Sequence, residues 1–99
     1  MSVAPLQVAV VRKGRPRGVL MVDIGLEIPD KGLRARVRSG LPRLRDHMLR
    51  SLSLYAAHAV DFHHTVNVDR LAGRLQTIAD AYAAGDTIKV LLVNVTLQK

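Results

Sequence analysis

The stretch SGLPRLRDHMLRSLSLYAAHA, Ser39–Ala59, decides how the rest of the chain is read. Pro42 suits the first turn of a helix, where a missing N–H costs nothing. From there the apolar residues Leu44, Met48, Leu49, Leu52, Tyr55, Ala56 and Ala59 recur at helical spacing and make one broad buried face. Arg43, Asp46, Arg50 and Ser53 fall on the opposite face, and Asp46 precedes Arg50 by four residues, the favourable order for a surface pair of about 0.3–0.5 kcal/mol. A long amphipathic helix is expected here, as the spine of the domain.

Upstream of this helix the chain changes period from 3.6 to 2. Leu6, Val8 and Val10 alternate through a β-branched run, predicting a strand over 6–12. Leu20, Val22, Ile24, Leu26 and Ile28 alternate with Asp23, Gly25 and Glu27, predicting a second strand over 19–28 with one face in the core and the other mostly wet. Arg12–Gly18, with two glycines and Pro16, reads as the hairpin loop between them. A short helical turn is expected through 33–38, capped by Asp30, with Leu33 and Val37 one above the other.

Downstream, Asn67 is the natural N-cap of a further helix whose buried stripe is Val68, Leu71, Leu75, Ile78, Ala79 and Tyr82, with Arg70, Arg74 and Asp80 outside and Gly85 closing it. The run 87–97 is apolar on both faces, Leu91, Val93, Val95 and Leu97 on one and Ile88, Val90 and Leu92 on the other. That pattern predicts a central strand, or one whose second face meets another subunit. The layout is β-β-α-α-β: an α+β single domain over residues 1–99, with a small, largely antiparallel sheet, helices packed on one face, and residues 1–4 as a flexible N-terminus.

Composition narrows the function. The chain is 48% hydrophobic but 3% aromatic, so its core is aliphatic and base stacking on rings is nearly closed to it. Fifteen Lys+Arg against eight Asp+Glu give a net charge of +7, which favours anionic partners. There is no cysteine, hence no disulfide, zinc–thiolate site or cysteine nucleophile. No window reaches the roughly 18 apolar residues of a membrane span, and Met1–Pro5 has no signal-peptide pattern, so the chain as written is expected to be soluble and cytoplasmic.

Three constellations invite chemistry. Arg12, Lys13, Arg15 and Arg17 flank a Gly-Arg-Pro core like that of an AT-hook, making them candidates for anion contact, although an ordinary solvated turn produces the same short pattern. His58, Asp61 and His63 carry metal-ligating side chains, but their spacing matches no standard site and the plainer reading is polar loop residues. The arginines at 34, 36, 38, 43, 45 and 50 fan around helices rather than lining one groove. Arg45 alone tilts into the apolar arc, to snorkel or to meet a carboxylate such as Asp23. His47 is expected as a half-exposed packing residue. No carboxylate pair, phosphate loop or nucleophile elbow suggests an enzyme, and no cofactor is expected.

Pro42, the triplet Leu44-Arg45-Asp46 and the following Met48-Leu49-Arg50-Ser51-Leu52-Ser53 resemble the helix of the FliL family, proteins associated with the flagellar basal body. The phrase Val22–Ile28, the second helix and the closing strand ending Leu97-Gln98 agree with that family. The resemblance implies a stomatin-like periplasmic domain, non-enzymatic, homo-oligomeric, and engaged with flagellar stator or basal-body proteins in bacterial motility. Pro42, Leu44, Arg45 and Asp46 carry over as structural motif residues. Members have an N-terminal membrane helix that this chain lacks, so membrane association and a place at the periplasmic face of the inner membrane would come through a missing anchor or through partners. Leu54–His58 also replaces the usual turn after the helix. The alternative is a small basic nucleic-acid-binding protein using the 12–17 loop and the helix arginines.

Overall fold

The computed structural model describes residues 1–58 and 67–98, with only the backbone of Arg12 and His58. Its elements are β1 (Leu6–Arg12), β2 (Arg15–Glu27), α1 (Lys31–Ser39), α2 (Leu41–His58), α3 (Val68–Ala83) and β3 (Lys89–Gln98). The strands form one antiparallel sheet in the order β1-β2-β3. This is the α+β arrangement expected, with the helices on one face. The turn foreseen at 33–38 is a full nine-residue helix, capped by the Asp30 side chain accepting from Leu33 N–H at 2.7 Å.

β2, not β3, is the central strand, which corrects the reading of the last apolar run. β3 lies at an edge, and its apolar residues divide differently from a simple alternation. Asp23 pairs with Asn94 and Ile24 with Leu92, so Val93 is left over as a β-bulge. The bulge switches the phase of the strand. Val90 and Leu92 therefore share the core-facing side with Val95 and Leu97, opposite Leu26, Ile24, Val22 and Leu20. Two-sided apolarity in this run records a phase change rather than a central position.

The hairpin is also tighter than expected. Lys13 and Gly14, both at positive φ (52° and 73°), form a two-residue turn. β2 thus begins at Arg15, and Pro16 sits beside a second bulge, where Val10 pairs with Gly18 and Val11 with Pro16. A proline is tolerated at that point because β3 reaches only to Val19, leaving no second ladder for Pro16 to break. β2 runs for thirteen residues in a molecule 44 Å in its longest dimension.

Residues 1–4, expected as a flexible tail, are instead tied to the sheet. The Met1 amino group donates to the Leu26 carbonyl and Leu26 N–H to the Met1 carbonyl, both at 2.8 Å, and Val3 is buried. This segment continues β1 along β2 across the Ala4-Pro5 interruption.

Between the sheet and the helices the core is wholly aliphatic apart from Met48 and Tyr55: Leu6, Leu20, Val22, Leu44, Leu52, Leu71 and Leu75 are all at 0–1% exposure. Among the described residues no polar or charged one is buried. α2 lies over β1 and α3 over β3. Arg74, expected outside, clamps the two helices, donating to the Ser51 hydroxyl and carbonyl at 3.2 Å and lying 5.8 Å from the centre of the Tyr55 ring. Val68, expected in the α3 stripe, is 47% exposed. α3 is capped by Asn67, as its sequence suggests, and ends with Ala84 already left-handed at φ 51° ahead of Gly85.

Candidate interaction surface

The helices cover one face of the sheet and leave the other bare. Strand alternation puts Met21, Asp23, Gly25 and Glu27 on that bare face, with Val19 at 38% exposure. On β3 the same face carries Leu91, 40% exposed, and the bulge exposes Val93 to 73%. Both charges are present, Glu27 lying opposite Lys89 in the register and Asp23 opposite Asn94. The result is an apolar strip with a mixed-charge border, in a chain whose positive charge is otherwise concentrated on the helices and the hairpin.

The outer edge of β3 is partly closed. The Gln76 amide of α3 donates to the Ile88 carbonyl at 2.6 Å and accepts from Val90 N–H at 2.9 Å, so one side chain stands in for a neighbouring strand. A glutamine between Leu75 and Ile78 on a helix gives no hint of this in sequence, because the partners lie beyond the turn that returns the chain to the sheet.

Arg45 answers its sequence puzzle in an unforeseen way. Its Nη2 donates to the Pro5 carbonyl at 2.8 Å, fastening α2 to the interruption between the N-terminal segment and β1. It makes no pair with Asp23, which lies on the bare side of the sheet, across the core. The Arg45 Nε is buried without a hydrogen-bond partner among the described residues. Arg45→Lys is therefore expected to keep the parent stability, since an ammonium reaches the same carbonyl and leaves no orphaned nitrogen. Arg45→Ala, losing bond and stem, should cost about 1–2 kcal/mol in urea unfolding. Equal midpoints for Ala and parent would show the contact to be idle.

The other motif residues take structural places. Pro42 lies in the first turn of α2, Leu44 is buried at 1%, and Asp46 pairs with Arg50 at 2.8 Å on the exposed face. The arginines of α1 diverge: Arg34 donates twice to the Ile28 carbonyl, Arg36 pairs with Asp86 at 3.2 Å, and Arg38 is exposed. His47 is exposed and borders a shallow apolar groove of about 300 Å³ between α2 and α3, with Arg43, Ile78 and Tyr82. Asp61, His63 and the side chain of His58 lie outside the described residues; among the described residues no group of three His, Asp or Glu could hold a metal ion. No described helix is long and apolar enough to cross a membrane.

The class defined by these features is a small α+β domain with a one-sided helical layer and a bare sheet face. Compared with protein-family models, curated proteins and solved structures, the chain matches none.

Proposed function

We propose that this chain is a non-enzymatic protein–protein interaction domain of FliL type, self-associating through the bare face of its sheet and supporting flagellar basal-body or stator function in bacterial motility. The observation that carries the reading is the exposed apolar strip on β3, with Val93 at 73% and Leu91 at 40% exposure. Apolar side chains grouped on an uncovered sheet face suit a contact surface. Charge favours a second copy as the occupant. Asp23, Glu27 and Lys89 give that face both signs, and two copies meeting there keep the arginines of α1 and α2 on the far sides of the pair. The motif residues support the same reading, since Leu44 fills the core and Arg45 secures the helix to the sheet.

Sedimentation velocity at micromolar concentration is expected to show a dimer or larger species. Val93→Lys, at a position with no core contact to lose, should shift it to monomer with the unfolding midpoint unchanged. A parent protein that sediments only as monomer, and stays so when purified flagellar stator proteins are added, would overturn the proposal.

A further inference from the structure

We propose that the β1–β2 ribbon is a docking element for an anionic lipid surface. β3 pairs with β2 only as far as Val19, so among the described strands Arg15–Gly18 pairs with β1 alone. The ribbon's turn is Lys13-Gly14, and Lys13, Arg15, Pro16 and Arg17 are exposed. No carboxylate precedes Asp23 in the chain. The ion pairs of the described residues lie elsewhere, Asp46 with Arg50 and Asp86 with Arg36, so none reaches Lys13, Arg15 or Arg17.

The backbone register sharpens the point by setting Arg12 opposite Arg15. Like charges at opposed positions disfavour strand pairing, and a partner of opposite charge relieves that cost. An external layer of negative charge would supply such a partner. Beside these cations the ribbon exposes Val11 (41%) and Val19 (38%) together with Pro16. Apolar side chains interleaved with cations fit the boundary between headgroups and acyl chains, where each class has a partner. A nucleic-acid backbone would satisfy the cations but leave the valines idle, and the ribbon has no aromatic ring for stacking on bases. The ribbon shares Val19 with the bare sheet face, but its cations lie beyond the end of β3 and away from the bulged strip around Val93, so the cation variants test it independently of self-association.

The test is co-sedimentation of the full chain with mixed phosphatidylcholine–phosphatidylglycerol vesicles at low salt. Binding is expected to the mixed vesicles and not to pure phosphatidylcholine, and to weaken steeply with added salt. Each cation near an anionic leaflet contributes about fivefold, so Lys13→Ser/Arg15→Gln/Arg17→Gln should lose on the order of 100-fold in partitioning. Val11→Ser/Val19→Ser should lose several-fold at every salt concentration. The charge-matched variant Lys31→Gln/Arg38→Gln/Arg43→Gln, altered only on exposed helix positions, should stay close to the parent. An equal loss in both triple variants would overturn the ribbon as the site. Tighter, ribbon-dependent binding to duplex DNA than to vesicles would overturn lipid as the partner. If the ribbon variant shows an altered circular dichroism spectrum, the single change Arg17→Gln, at the bulge, repeats the comparison with an expected fivefold loss, and no loss would count against the proposal.

Discussion

Deleting Met21 is expected to leave the chain unfolded, whereas deleting Val93 should leave it folded. Met21 lies in the central strand between Leu20 and Val22, which are both fully buried. Its removal makes these two neighbours, so one of them must turn away from the helices and carry the rest of its side of the strand with it. Turning out Val22, Ile24 and Leu26 alone forfeits about 1.5–3 kcal/mol for each side chain. That is comparable with the roughly 5–15 kcal/mol by which a whole domain is stable. A compensating bulge cannot repair the change cheaply, because β2 is paired on both sides and both neighbours would have to bulge together.

Val93 is the contrary case. It is the surplus residue of a bulge in an edge strand, and without it Leu92 and Asn94 follow each other directly against Ile24 and Asp23. Every core-facing side chain of β3 keeps its side. Stability within about 1 kcal/mol of the parent is expected in urea unfolding, with a native-like amide fingerprint in two-dimensional NMR. A folded Met21 deletion or an unfolded Val93 deletion would show that the register is not what holds the sheet.

Gly40→Ala is expected to destabilise the domain by about 1–3 kcal/mol, and much less when Tyr82 is first replaced by Leu. Gly40 joins α1 to α2: its N–H donates to the Arg36 carbonyl at 3.0 Å and its own carbonyl accepts from Leu44 N–H at 3.1 Å. Its φ of −96° is open to any residue, so conformational freedom is not the reason for glycine here. Contact is. A Cβ at this position would run into the Tyr82 Oη and lie 3.1 Å from Cζ, with the Arg36 carbonyl at 3.4 Å on another side. Tyr82 can swing away at the cost of its 3.4 Å bond to that same carbonyl, which keeps the loss moderate. Tyr82→Phe, lacking the colliding oxygen, should relieve part of it. Urea midpoints for the two single and the double variants give the coupling directly. An undiminished loss in the Tyr82→Leu background would place the cause in the turn and not in the contact.

Much of the framework was legible because it rests on local rules. The caps at Asp30 and Asn67 are short-range hydrogen bonds that chain order already implies. The α2 stripe is read from spacing alone, and Leu44, Met48, Leu52 and Tyr55 are buried as that spacing predicts. The candidate surface was half legible. An apolar excess in 87–97 is visible in the residues, but assigning it to two regular faces fails at Val93, because a bulge exists only with respect to a partner strand. The loop at 12–18 was read too long for a related reason. Pro16 argues against a strand only where two ladders compete for it, and β3 stops short of that position.

The contacts that give individual residues their work join distant parts of the chain: Arg45 to Pro5, Gln76 to Ile88 and Val90, Arg74 to Ser51, and Tyr82 beside Gly40. By itself the sequence determined that this chain makes an α+β domain with an amphipathic helix at its centre and an unusually basic surface, since periodicity, caps and charge are properties of neighbouring residues. Only the tertiary structure decided which strand is central, where the phase of β3 shifts, and which apolar side chains remain uncovered. Those depend on strand order and register, which are set by how whole elements bury their faces against one another.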